Sequence, residues 1–188
     1  TISVGGILKA IHGNIRIGQS DYFITEACEY TNSFLKFNPK IEVILNIEED
    51  HMDFFKDLDD IRLSFKKYAS LVPKTGTVVI GSDIDDYSYF TDELDCNIIT
   101  FGSKESGAIV TAHNITYDTF ANGSFDLVKD NVILTHIDLK VTGLHNIHNA
   151  LAAAATAIAI PLTVLITRIF WALSIFIKPV RKTCTYFS

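Results

Sequence analysis

Cysteine is scarce in this sequence, and its placement excludes two common ways of stabilising a small domain. The 188 residues include three cysteines, Cys28, Cys96 and Cys184, which lie far apart and in no Cys-x-x-Cys spacing. A disulfide framework needs paired cysteines, and a structural zinc site needs closely spaced ones. Neither is expected, and a reducing, cytoplasmic location is predicted.

Basic charge is also scarce. Lysine and arginine number 16 against 22 acidic residues, which gives a formal net charge of -6, and the basic residues form no cluster. A protein that grips a nucleic-acid backbone needs a basic surface, so no nucleic-acid partner is expected. The charge still allows a nucleotide held by a metal ion and backbone amides.

Two catalytic signatures are missing from the sequence. It contains no G-x-x-x-x-G-K-[ST] phosphate loop and no Ser-His-Asp pattern of a recognisable local type. What it does contain is the composition of a globular protein, with 48% apolar and 20% charged residues. The chemistry has to be sought in other residues.

Predicted strands and helices alternate over the first hundred residues. Residues 21–28 and 41–47 are predicted strands, and the second is apolar at nearly every position, as in a parallel strand covered on both faces. A helix is predicted from Leu58 to Val72, with acidic residues at its start and lysines near its end. A strand, a short helix and a strand are predicted to follow at 77–83, 86–94 and 97–103. This order predicts an α/β fold with a mostly parallel sheet flanked by helices.

The pattern changes from about residue 108. Three extended segments, with turn signals at Asn122-Gly123 and Asp130-Asn131, predict an antiparallel β meander appended to the parallel sheet. Residues 143–160 then predict a polar turn and an alanine-rich helix.

The last part of the chain is strongly apolar. Residues 150–167 carry no charge, which a hydropathy scan would score as a membrane span. Pro161 interrupts the run, and Arg168 would lie deep in any longer span. We therefore predict a buried helix followed by a second core-seeking segment. A membrane segment and a tail that does not fold natively are the alternatives.

Glu26 and His51 are the first candidates for chemistry. Each follows the apolar part of a predicted strand, and the carboxyl ends of parallel strands form the ligand-binding edge of an α/β sheet. If the two strands are neighbours, a carboxylate and an imidazole converge on a cation. Mg²⁺ needs few protein ligands, and Mn²⁺ tolerates imidazole better. The alternative is that His51 is a solvated loop residue in a charged helix entry.

Asn146 and Asn149 are the second candidates. They lie three residues apart at the start of the last helix and so share one face. An amide offers both a donor and an acceptor, which is the pattern that matches an adenine edge. The alternative is that Asn146 caps the helix.

Three segments, TEACEYTNSFLKF, ILNIEEDHMDFF and GLHNIHNALAA, together resemble the Mur ligases in order and spacing. The resemblance covers roughly residues 1–160 and implies the central ATP-binding domain of a three-domain enzyme, with a fold like that of P-loop NTPases. It also implies a chain incomplete at both ends. The family's phosphate loop is expected just upstream of residue 1, and residues 161–188 form an atypical apolar tail in place of the linker and C-terminal domain.

The resemblance implies an ATP-dependent amide ligase of peptidoglycan synthesis that works through an acyl phosphate. It is greatest to the members that join L-alanine to UDP-N-acetylmuramate, with ATP and Mg²⁺ (or Mn²⁺) as cofactors. The tripeptide-recycling ligases and a degenerate nucleotide- and metal-binding module without turnover are the alternatives. Without a phosphate loop, this chain alone is expected to be inactive. Membrane association is not expected, and no oligomeric state is predicted.

The resemblance also assigns roles to residues. It implies that Glu26 and His51 bind the metal and, with Asn46, form the catalytic group. His145, Asn146 and Asn149 match the family's adenine-side segment. The acidic neighbours Glu48, Glu49 and Asp53 are expected to shape the loop and cap the following helix.

Overall fold

The computed structural model describes residues 1–160, which form two β-sheets. The smaller sheet has three strands, β1 (Ile2–Leu8), β2 (Gly13–Arg16) and β3 (Ile24–Thr25), in the order β2-β1-β3. β1 pairs antiparallel with β2 and parallel with β3. Among residues 1–160, no strand of this small sheet pairs with a strand of the larger one.

The larger sheet has six strands in sequence order. They are β4 (Ile41–Ile44), β5 (Thr77–Gly81), β6 (Asn97–Gly102), β7 (Val110–Tyr117), β8 (Asn122–Lys129) and β9 (Val132–Thr142). Pairing is parallel from β4 to β7 and antiparallel from β7 to β9. The predicted α/β fold with a parallel sheet and an appended antiparallel meander is confirmed.

Helices cover both faces of the parallel strands. On one face, α1 (Leu58–Ala69) and α2 (Ser88–Thr91) pack on apolar side chains of β4 and β5. On the other face, α3 (Leu144–Ala159) packs on strands from both halves of the sheet. Six alanines of α3 are buried, and their small side chains let the helix backbone approach the sheet closely: Ala150, Ala152, Ala153, Ala154, Ala155 and Ala157.

The start of α1 follows from one side chain. Asp57 has extended backbone angles, and its carboxylate accepts a hydrogen bond from the backbone N–H of Asp60 at 2.9 Å. A carboxylate at this position satisfies an N–H that the helix itself leaves without an acceptor. Asp57 is therefore the N-cap, and the expectation that Glu48, Glu49 or Asp53 caps this helix is wrong.

Residues 21–28 do not form the strand that their composition predicts. Only Ile24–Thr25 is a strand, and it pairs with β1 rather than with β4. After it the chain turns through Tyr30–Lys36, where Thr31 and Asn32 have positive φ. The predicted strands that precede Glu26 and His51 are therefore not neighbours in one sheet.

The two turn signals of the meander have different outcomes. Asp130 and Asn131 both have positive φ and form the two-residue turn between β8 and β9, as predicted. The prediction of a turn at Asn122-Gly123 is wrong, because both residues lie in β8. The preceding turn is built by Asp118, whose carboxylate accepts from the backbone N–H groups of Phe120 and Asn122, each at 2.8 Å.

The interpretations of residues 161–188 lie outside the described residues. These are the second core-seeking segment, the membrane-segment alternative and the tail without native fold. Over residues 1–160, no helix combines the length and the apolar character that crossing a membrane requires.

Candidate functional site

His51 lies in the loop that follows β4, in a backbone conformation that fixes its direction. Its φ is 53°, in the left-handed region, which non-glycine residues adopt infrequently. Its carbonyl accepts hydrogen bonds from the N–H groups of Phe54 (2.8 Å) and Phe55 (3.0 Å). Because Phe55 is buried, this tight turn is anchored in the core.

The His51 ring is held between an aromatic ring and two carboxylates. It stacks on Tyr30, with ring centroids 4.6 Å apart. Its Nε2 lies 3.7 Å from Glu29 Oε1, and its Nδ1 lies 4.0 Å from Asp50 Oδ1. One donor atom from each of Glu29, Asp50 and His51 lies within 4.8 Å of the other two. Two carboxylates and an imidazole fit a divalent cation that accepts oxygen and nitrogen ligands, such as Mn²⁺.

Glu26 lies outside this cluster. It follows β3 in the smaller sheet, is exposed, and its Oε2 accepts a hydrogen bond from the backbone N–H of Gly5 at 2.8 Å. Sequence reasoning selected Glu26 and missed Glu29 and Asp50. Both missed residues lie inside the segments that resemble the Mur ligases. The strand pattern, however, does not predict the turn at Tyr30–Lys36 that directly follows Glu29.

Two other residues of the acidic stretch have defined partners. Asn46 donates from Nδ2 to Glu48 Oε1 at 2.9 Å. Asp53 Oδ2 accepts from the Tyr30 hydroxyl at 2.8 Å, and Tyr30 is the ring that stacks on His51. Asp53 therefore helps to position the Tyr30 ring on which His51 stacks.

The first turns of α3 bring the second predicted group together. Gly143 precedes the helix with a φ of 95°, and a Cβ there would lie 2.7 Å from Cε1 of the exposed His145 ring. Asn146 is buried and donates from Nδ2 to the Thr142 carbonyl at 2.7 Å. Asn149 donates to Asn146 Oδ1 at 3.4 Å. The helix begins after Gly143, so Asn146 is not its N-cap, and the capping alternative is wrong.

A further pair connects this helix to the sheet. Asp83 follows β5, and its Oδ2 lies 3.6 Å from Nδ1 of His148 on α3. Nothing local in the sequence links positions 83 and 148, so this pair becomes visible only in the fold. The pair places the start of α3 beside the carboxyl end of β5, and the His51 loop follows the carboxyl end of the neighbouring β4. The His51 loop and the start of α3 therefore both lie at the edge where α/β sheets bind ligands, whereas Glu26 belongs to the smaller sheet.

Comparisons with known proteins identify the family of the chain. The profile of the Mur ligase middle domain matches residues 8–157. A UDP-N-acetylmuramate--L-alanine ligase of Lachnospira eligens is 52% identical over 155 residues, which are 82% of this chain and 34% of that protein. An enzyme of the same name from Clostridium botulinum is 50% identical over 159 residues, again 34% of its length. The chain spans about a third of the length of these relatives.

Solved structures show the same fold. A UDP-N-acetylmuramate-alanine ligase from Thermotoga maritima superposes with a TM-score of 0.69 at 26% identity, over 93% of this chain and 38% of that one. A UDP-N-acetylmuramate:L-alanyl-gamma-D-glutamyl-meso-diaminopimelate ligase from Neisseria meningitides gives a TM-score of 0.72 at 23% identity, over 94% of this chain and 56% of that one. With the profile match over most of its length, this chain belongs to the Mur ligase family.

Proposed function

We propose that this chain is the ATP-binding part of a cytoplasmic, ATP-dependent ligase that joins L-alanine to UDP-N-acetylmuramate in peptidoglycan synthesis. The observation that carries the proposal is the 52% identity over 155 residues with a Lachnospira eligens protein named for that reaction. The Neisseria structure bears the name of a tripeptide-adding ligase, but at 23% identity its likeness concerns the fold alone. It does not favour that substrate here.

The edge geometry supports nucleotide binding. In the proposed site, the start of α3 with His145, Asn146 and Asn149 forms the adenine side, and the His51 loop lies at the phosphate side. Asp83 positions α3 through His148, since their side chains approach to 3.6 Å. The family relation makes ATP the expected nucleotide.

A divalent cation, Mg²⁺ or Mn²⁺, is proposed at His51. Glu29 and Asp50 offer carboxylate oxygens beside the imidazole, and Glu26 is proposed as a further ligand from the family resemblance. Asn46 orients Glu48 in the same loop through their hydrogen bond. When bound, such a cation neutralises charge on phosphate oxygens during phosphoryl transfer. Tyr30 and Asp53 keep the His51 ring in place for it.

Ligation by residues 1–188 alone is not expected. The sequence has no phosphate loop, so ATP lacks the backbone cradle and the lysine that complement its phosphates. A coupled assay on the isolated chain should detect no L-alanine-dependent ADP release. Robust release would contradict this expectation.

The ligase assignment is tested in a full-length protein. The aligned 155-residue segment of the Lachnospira eligens ligase is replaced by the matching segment of this chain, and folding is checked by circular dichroism. The chimera should release ADP only when both L-alanine and UDP-N-acetylmuramate are present. A His51→Ala change should lower turnover by about tenfold to a hundredfold or more, as loss of a group at a metal site does. His113→Ala, on the meander, is the matched control.

Two outcomes would contradict the assignment. One is a folded chimera that releases no ADP with these substrates. The other is a His51→Ala chimera that turns over at the same rate as its parent.

The rival function is a degenerate nucleotide-binding module that is used in interactions rather than in turnover. Calorimetric titration of the isolated chain with Mn²⁺ separates the two. Binding that is lost in His51→Ala supports a retained ligase site, whereas absence of binding in both proteins supports the degenerate module.

A further inference from the structure

Glu42 is a carboxylic acid buried in the core of the larger sheet. It lies in β4, opposite Val78 of β5, and only 1% of it is exposed. Side chains alternate along a strand, so Glu42 shares a face with Ile44, which packs with Ala69 of α1. Neither carboxylate oxygen has a hydrogen-bond partner among residues 1–160. Buried polar groups without partners are rare in folded proteins.

Among residues 1–160, no basic group pairs with Glu42 to compensate a charge at this position. The titratable groups that act electrostatically with Glu42 are Tyr68 of α1 and Cys96 before β6, and neither is cationic. Three lysines of the surrounding segments pair elsewhere, Lys40 with Thr75 at 3.2 Å, Lys66 with Glu93 at 3.1 Å and Lys74 with Asp95 at 2.6 Å, and Lys67 of α1 is exposed. An ionised carboxylate would therefore be desolvated without a counter-ion, which is strongly unfavourable.

We propose that Glu42 is a pH-sensitive switch inside the core: its carboxyl group stays protonated in the folded protein, and its ionisation loosens β4 from α1. Burial raises the pKa of Glu42 to about 9, from an ordinary value of 4.5. Burial also raises the pKa of Tyr68 to about 12, and a charge on Glu42 adds to that effect. The proposal is independent of the ligase assignment, since it concerns the fold alone.

The direction of the effect follows from proton linkage. Below pH 4.5 both the folded and the unfolded chain hold the Glu42 proton, and its contribution does not vary with pH. Between 4.5 and about 9 the unfolded chain has lost this proton while the folded chain retains it, so folding stability falls as pH rises. One retained proton corresponds to about a tenfold fall in the folding equilibrium constant per pH unit.

The switch has a structural route to the candidate site. β4 ends at Ile44, seven residues before His51, and no other element intervenes. Loosening of β4 at alkaline pH would therefore release the base of the loop that holds the His51 ring.

Urea unfolding of the 188-residue chain between pH 5 and pH 9 tests the proposal. As pH rises, the folding equilibrium constant of wild type should fall about tenfold more per pH unit than that of Glu42→Gln. The reason is that unfolding of wild type releases one more proton. Glu105→Gln, which removes an exposed carboxylate, is the matched control and should keep the wild-type slope. Parallel pH curves for wild type and Glu42→Gln would overturn the proposal.

A second measurement does not depend on the variant. The infrared spectrum of the folded wild-type protein at pH 7 should contain the carbonyl band of a protonated carboxylic acid. That band should disappear as pH rises through about 9, and it should be absent from Glu42→Gln and Glu42→Met. A wild-type spectrum at pH 7 without such a band would overturn the proposal even if neither variant folds.

Discussion

The parallel half of the larger sheet (β4–β7) and the antiparallel meander (β7–β9) differ in where their polar side chains lie. In the parallel half, α1 and α3 cover the two faces, and every residue of β5 is buried. In the meander, α3 covers one face, and the other carries polar side chains such as Ser124 and Asp126. Parallel strands buried on both faces meet solvent mainly at their ends, and the candidate site lies there.

The difference is visible in two acidic residues. Glu42 is in the parallel half, has no partner among the described residues, and its pKa is raised by burial. Asp126 is in the meander and accepts hydrogen bonds from Asn114 (2.7 Å) and His136 (2.6 Å), and these bonds lower its pKa. The same chemical group is therefore held neutral in one half and ionised in the other.

Removing a core side chain from the meander should have the largest effect. Phe125 is fully buried under α3, whereas Phe120, in the turn before the same strand, is 78% exposed. Phe125→Ala should lower the free energy of unfolding by about 3–5 kcal/mol, through lost burial and the cavity left behind. Phe120→Ala should change it by less than about 0.5 kcal/mol. Equal effects in urea unfolding would show that the meander has no core face of its own.

The same substitution in both halves sharpens the comparison directly. Val78 of β5 is fully buried, and Val132 at the start of β9 is 61% exposed. Val78→Thr buries a hydroxyl among apolar side chains and should cost about 1–3 kcal/mol. Val132→Thr should change stability by less than about 0.5 kcal/mol. A Val78→Thr protein as stable as wild type would contradict the two-sided burial of β5.

A smaller effect is expected where the parallel half meets solvent. Asp57→Ala removes the N-cap of α1 and should cost about 1 kcal/mol. Asp57→Asn retains a side-chain oxygen that can accept from Asp60 N–H and should cost less. Thermal unfolding of the three proteins tests this order. A Asp57→Asn protein that is destabilised as much as Asp57→Ala would show that the charge, and not the hydrogen bond, supports the helix start.

Periodicity predicted the larger sheet well because its signals are local. The apolar run at 41–47, the amphipathic helix from Leu58 and the Asp130-Asn131 turn each depend on residues close in sequence. The strand predicted at residues 21–28 was wrong over most of its length. The chain there leads into a turn in which Thr31 and Asn32 have left-handed conformations, which the strand-like composition does not reveal. Asn32 also accepts a hydrogen bond from Ser64 of α1, a contact that no local pattern contains.

The candidate site was predictable only in part for the same reason. His51 lies in the Glu29–Asp50 cluster and the asparagines lie at the start of α3, but their roles in a site stay predictions. Glu29, Asp50 and the Asp83–His148 pair were missed, because their approach depends on the path of the chain between distant segments. Residue type and order indicated the kind of site, whereas the identity of the neighbours required the fold.

The smallest effect is expected on the solvent face of the meander. The hydrogen bond to Asp126 raises the pKa of His136, with Asp138 adding to it. The contribution of His136 to folding stability is therefore fully present below its ordinary pKa of 6.5 and is lost as pH rises through its raised pKa. The contribution of Asp126, whose pKa is lowered, is present above 3.8 and is lost as pH falls through the lowered value.

Nuclear magnetic resonance titration of the His136 ring checks this pair. Asp126→Asn should bring the His136 pKa down towards 6.5, Asp138→Asn should lower it less, and Asp118→Asn, in the neighbouring turn, should leave it unchanged. Stability should hardly change, because both groups of the pair are open to solvent and such pairs contribute little. An unchanged His136 pKa in Asp126→Asn would mean that the Asp126 hydrogen bond does not shift the His136 pKa. The difference between Asp126 and Glu42 would then come from burial alone.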